Sequence, residues 1–116
     1  MADRHPQLLS TIVGHADTVQ QVRKSEMLAG DRLYVKTHNS LYAIHAVANG
    51  SYEVRGGWFD RNGRSDTPIT IRGCTWGGTA IKVDVVAACG LHIEFGNKVV
   101  TSPIEKIFHF SFASCN

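Results

Sequence analysis

Leu41-Tyr42-Ala43-Ile44-His45-Ala46-Val47-Ala48-Asn49-Gly50-Ser51-Tyr52-Glu53-Val54-Arg55-Gly56-Gly57-Trp58-Phe59 decides the fold class of this chain. The first run, Leu41 to Ala48, reads as a strand. The second alternates from Tyr52 to Phe59. It places Tyr52, Val54, Gly56 and Trp58 on one face and Glu53, Arg55, Gly57 and Phe59 on the other, the period of two that a pleated strand imposes. Between them Asn49-Gly50 is a type I′ hairpin signal, because both residues tolerate positive φ.

The same period extends in both directions. Upstream, Arg32–Thr37 reads as a strand that turns at His38-Asn39-Ser40. Downstream, residues 60–68 form a charged loop, and Ile69–Gly73 is a short strand with Ile69 and Ile71 inward. A second glycine–tryptophan turn follows, Gly73-Cys74-Thr75-Trp76-Gly77-Gly78. Ile81, Val83 and Val85 then alternate with Lys82 and Asp84, and Leu91, Ile93 and Phe95 with His92 and Glu94. Gly96-Asn97 turns the chain into Lys98–Thr101. Ser102-Pro103-Ile104-Glu105 has the spacing of a capping box and predicts a single helical turn. A last strand, Ile107 to Phe112, puts Phe108, Phe110 and Phe112 on one face. These short, evenly spaced strands predict a mainly β protein: a small antiparallel β-barrel or strongly curved sheet over about residues 32–112. Closure would remove exposed edges.

The N-terminal part has a different period. Residues 1–6 read as a tail. From Gln7 the apolar residues Leu8, Leu9, Ile12, Val13, Ala16, Val19 and Val22 recur at steps of three and four, continued by Met27 and Leu28. This predicts one α-helix over about residues 7–28, within a single domain of residues 7–116. The apolar stripe is longer than one open barrel end needs, so Leu8, Ile12 and Val19 are expected to face a second copy of the chain.

Composition bounds the function. A chain of 116 residues with 43% hydrophobic and 19% charged residues can bury one core without staples. A net charge of +2 is too small to argue for nucleic acid. The three cysteines, Cys74, Cys89 and Cys115, are odd in number and unpatterned, which fits neither a disulfide framework nor a zinc site. No signal peptide and no long apolar run is apparent, so a cytoplasmic protein without membrane contact is expected.

From Gly30 to about Ile107 the chain resembles a group of short bacterial β-rich proteins. The resemblance rests on Thr37-x-x-Ser40-x-Tyr42, Val54-x-Gly56-Gly57, Gly73-Cys74-Thr75-Trp76-Gly77-Gly78 and Thr101-Ser102-Pro103-Ile104. It implies a small barrel-like fold and no activity, since none is assigned to the group. The helical extension departs from its shorter members.

Chemistry is sparse. Gly73 to Thr79 imitates a phosphate loop but lacks its lysine, and a strand rather than a helix follows. A tight bend or bulge that only glycine tolerates explains it better. The six histidines form no short-spaced metal pair, and no metal or cofactor is expected. His45 shares a face with Leu41, Ala43 and Val47, which favours a core or interface histidine. Cys74, in a glycine-rich bend, is the one nucleophile candidate for an enzyme.

The expected role is a non-enzymatic binding or interaction module that self-associates. Its site is bordered by Tyr52, Arg55, Trp58, Arg72 and Trp76. The alternatives are single-stranded nucleic-acid binding by a basic and aromatic face, a small-molecule pocket inside the barrel, and catalysis through Cys74. Arg55 and Trp58 fall on opposite faces of their strand, which counts against the nucleic-acid version.

Overall fold

The computed structural model describes residues 18–77 and 81–112, with the backbone but not the side chain of Asn49. Strands dominate. In chain order they are β1 (Thr18–Val19), β2 (Gln21–Arg23), β3 (Arg32–Thr37), β4 (Leu41–Ala46), β5 (Tyr52–Arg55), β6 (Pro68–Ile69), β7 (Ile71–Thr75), β8 (Ile81–Lys82), β9 (Val85–Ala88), β10 (His92–Phe95) and β11 (Ile104–Phe110). A single α-helix among the described residues, α1 (Gly57–Arg61), follows β5. Every pairing is antiparallel.

The sheets are open. A six-stranded sheet runs β1-β11-β3-β4-β5-β6, with a three-stranded sheet β10-β7-β8 and a two-stranded sheet β2-β9. No closed barrel forms among the described residues, and the reason lies at the edges. Gln20 alone separates β1 from β2, and Thr70 alone separates β6 from β7. At each residue the edge strand bends out of the large sheet and pairs in a smaller one, so the edges turn into a second layer instead of meeting.

Period two is obeyed where it matters most. Leu33, Val35 and Thr37 of β3, Tyr42, Ile44 and Ala46 of β4, and Tyr52 and Val54 of β5 are buried. Ile93 and Phe95 of β10 join them, while His92 and Glu94 stay half-exposed. Full burial of an aliphatic side chain contributes about 1.5–3 kcal/mol, so Leu33, Val35, Ile44, Val54, Ile93 and Ile107 hold the layers together. Phe59 stands edge-on to Phe95, ring centroids 4.8 Å apart, and both pack against Tyr42.

Four local expectations are corrected. The helix over about residues 7–28 is not continued in residues 18–26. These form β1, β2 and a 3-10 turn at Lys24–Glu26; residues 7–17 lie outside the described part. Asn49-Gly50 does not make a two-residue turn, because Ala46 pairs with Tyr52 and five residues must close the loop. Ala48–Gly50 is a 3-10 turn, closed by the Val47 N–H donating to Ser51 O at 2.9 Å.

The strand from Tyr52 ends at Arg55, not Phe59. Gly56 (φ 100°) and Gly57 (φ 48°) turn the chain into α1. A Cβ on Gly56 would overlap Leu41 O, and one on Gly57 the Tyr42 ring, so only glycine fits. Phe59 is thereby swung into the core. Ser102-Pro103-Ile104 makes no helical turn either. Ile104 opens β11, and its N–H donates to Leu91 O.

The Ser102 hydroxyl serves a tertiary bond instead. It donates to Thr37 Oγ1 at 2.8 Å and accepts the Asn39 N–H at 2.9 Å. Thr37 Oγ1 also accepts the Ser40 N–H, and Thr101 Oγ1 accepts the Ile93 N–H. The motifs Thr37-x-x-Ser40 and Thr101-Ser102-Pro103 are thus one hydrogen-bonded staple across the β3–β4 turn, buried at Thr37 and Thr101.

Candidate binding cleft

The described surface has a cleft of about 450 Å³ where three chain segments meet. Its first wall is the segment between β2 and β3, with Lys24, Met27, Leu28 and Ala29. This wall is fastened at both ends. Lys24 N–H donates to Asp84 O at 2.8 Å, and Gly30 N–H to Ala46 O at 2.8 Å. The second wall is the end of β4 and its loop: Ala46, Val47, Ala48, Gly50 and Ser51. Tyr52, Thr70 and Ile71 complete the lining from β5 and the corner between β6 and β7.

Asp31 anchors the first wall from below. Its carboxylate is buried. Oδ2 accepts the Leu28 N–H at 3.1 Å and Nε2–H of His109 at 3.2 Å, and Oδ1 accepts the Phe112 N–H at 2.9 Å. A carboxylate only accepts, so the His109 proton must lie on Nε2. Burial alone would raise the Asp31 pKa. The backbone N–H groups of Phe112 and Leu28, with His109, outweigh it and hold the carboxyl below its ordinary value. One side chain therefore ties the cleft wall to the C-terminal end of β11.

Of the five residues expected to border a site, only Tyr52 lines this cleft. It is 5% exposed, and among the described residues its hydroxyl has no hydrogen-bond partner. Burial raises its pKa, so the phenol is a donor at neutral pH. Arg55 lies outside, paired with Asp66 through Nε at 2.8 Å and Nη2 at 2.6 Å. Trp58, half-buried, stands edge-on to Phe59 at 5.3 Å. Arg72 is exposed on β7 and lies 3.5 Å from Glu94. Trp76 is 64% exposed with Lys82 Nζ 5.5 Å from its ring centroid. No hydrogen bond, ion pair or ring contact joins any two of the five.

The oligomer residues fare differently. Leu8 and Ile12 lie outside the described part. Val19 packs partly buried against the molecule's own core and pairs with Ile107. His45 is half-exposed, 3.4 Å from Glu53 on the neighbouring strand.

Cys74 has none of the traits of a nucleophile. It is fully buried, its Sγ faces Val86 O at 3.5 Å, and burial pushes its pKa up to about 11. Gly73 beside it does occupy the tight place expected: a Cβ there would overlap Lys82 O. Among the described residues Cys74 and Cys89 are free thiols, and no group of three histidine, cysteine or acidic side chains is placed to hold a metal. No described helix is long and apolar enough to cross a membrane.

The cleft itself was not legible. Met27 and Leu28 read as the end of a helical stripe. The remaining signal was an apolar surplus just before Gly30-Asp31, where no strand begins.

No family model, curated protein or solved structure matches the chain.

Proposed function

We propose that this protein is a non-enzymatic binding module whose ligand site is the cleft between the 24–29 segment, the β4–β5 loop and the β6–β7 corner. The carrying observation is the lining: a half-open concave surface of about 450 Å³, more apolar than polar, within the size range of small-molecule sites. The titratable groups elsewhere support it. Arg55, Arg72, His45 and Asp31 each face a partner within the fold, and Cys74 is buried. None is free for acid–base or nucleophilic work.

The nucleic-acid alternative is weaker for the same reason. Stacking along a strand needs several cations and aromatics on one face; Arg55 and Arg72 lie beside carboxylates, which leaves the single pair of Lys82 over the exposed Trp76 ring. Self-association through Leu8 and Ile12 and a cytoplasmic location remain part of the proposal on sequence grounds, as does kinship with the short bacterial β-rich proteins.

Fluorescence of the neutral apolar probe N-phenyl-1-naphthylamine tests the site. The reading expects saturable enhancement with the native protein and its loss in Ala48→Trp, which fills the cleft from its exposed rim. Equal enhancement in both proteins would place the probe elsewhere and refute it.

A further inference from the structure

We propose that the natural ligand of the cleft is an anionic amphiphile, a carboxylate-type head on an apolar tail, with Lys24 and Tyr52 serving the head. The inference rests on the cleft being a binding site.

Lys24 is the one cationic side chain of the lining, and no acidic side chain lines it. The ammonium makes no ion pair among the described residues, whereas Lys36, Arg55 and Arg72 all do. Tyr52 adds a second donor. It is 5% exposed, its hydroxyl has no partner among the described residues, and no polar side-chain atom of those residues is both sealed from solvent and unpaired. The phenol oxygen therefore keeps some contact with solvent, and Tyr52 is a lining residue of the cleft.

Covering these two groups with a purely apolar molecule would strip them of water without replacement, which is unfavourable. A cationic ligand would meet the Lys24 charge with no acidic lining group to offset it. An anion accepts from both. The remainder of the lining, chiefly Met27, Leu28, Ala46, Val47 and Ile71, suits a hydrocarbon tail.

Isothermal titration of the full chain with decanoate, decanol and decyltrimethylammonium, each below its micelle concentration, tests the assignment. Decanoate should bind about tenfold or more tightly than decanol, the worth of one charge-assisted hydrogen bond. The ammonium probe should bind weakest. Lys24→Gln and Tyr52→Phe should each weaken decanoate by about tenfold and decanol, whose hydroxyl accepts only as a neutral group, by clearly less. High salt should weaken decanoate selectively. Tyr52→Phe removes no hydrogen bond among the described residues, so its folding is retained.

Equal binding of the three probes, or decanoate binding indifferent to both substitutions, overturns the ligand class while leaving the cleft as an apolar site. Absence of binding by these probes and by N-phenyl-1-naphthylamine overturns the cleft reading, and this inference with it.

Discussion

Replacing Asp31 by alanine should destabilise the protein by about 3 kcal/mol at neutral pH. The carboxylate is 2% exposed and accepts the Leu28 N–H, the Phe112 N–H and His109 Nε2–H. Hydrogen bonds to a buried charge are each worth about 1.5–3 kcal/mol, but donors that can regain water recover part of that. Phe112 is 62% exposed, and Leu28 equally so. Their N–H groups therefore rehydrate in the variant, which brings three bonds down to about 3 kcal/mol in total. A domain of this size carries about 5–15 kcal/mol, so the variant stays folded and melts about 15 °C lower.

The pH dependence has a definite sign. The folded-state pKa of Asp31 lies below its unfolded value of about 3.9. Its contribution is complete above that value and is lost as pH falls through the folded pKa. Urea unfolding of native protein and Asp31→Ala, followed by tryptophan fluorescence, should show a gap that is constant from pH 5 to 7 and shrinks below about pH 4. A difference under about 0.5 kcal/mol at pH 7, within the range of ordinary surface changes, would refute the anchoring role. So would a gap that is undiminished in acid.

Three further outcomes are expected. Native protein treated with a thiol reagent at pH 8 should leave Cys74 unmodified until urea is added, because the thiol is buried with its pKa near 11; mass spectrometry of the labelled peptides would read this. Gly56→Ala should cost about 3 kcal/mol or more, since its Cβ meets the Leu41 carbonyl at positive φ, whereas Gly63→Ala, with open space around it, should cost about 1 kcal/mol; chemical denaturation separates the two. Mixed single-stranded DNA at low salt should leave tryptophan fluorescence unchanged, and saturable, salt-sensitive quenching would restore the nucleic-acid reading for the exposed Trp76.

The central strands were legible because β3, β4, β5 and β10 bury one face each, and burial of one face writes period two into sequence. Where a segment obeys some other constraint, the local pattern misled. Thr18 to Arg23 is two short pairings around Gln20, with Val22 buried and Val19 partly so. That spacing of three also fits a helix, and the β-branched residues were the better guide. Ser102 carries a capping-box spacing, yet its hydroxyl serves Thr37, sixty-five residues away. The alternation from Tyr52 continues on paper through Phe59, but close approach at Gly56 and Gly57 breaks the strand.

The site was less legible than the fold. Of the five residues grouped on sequence grounds, Tyr52 lines the cleft, and the tryptophans and arginines make separate surface contacts. The cleft arises where residues 24–29, 46–52 and 70–71 meet. No short-range period links three such segments, and only the tertiary fold brings Lys24 and Tyr52 into one lining.

Amide chemical-shift mapping with decanoate on the ¹⁵N-labelled protein locates the ligand site residue by residue. Saturable shifts should be confined to Ala29, Ala48, Ser51, Tyr52 and Ile71 and their neighbours, with Trp76 and Arg55 unmoved. Shifts centred on Trp76 and Lys82, or no saturable shift at all, would contradict it.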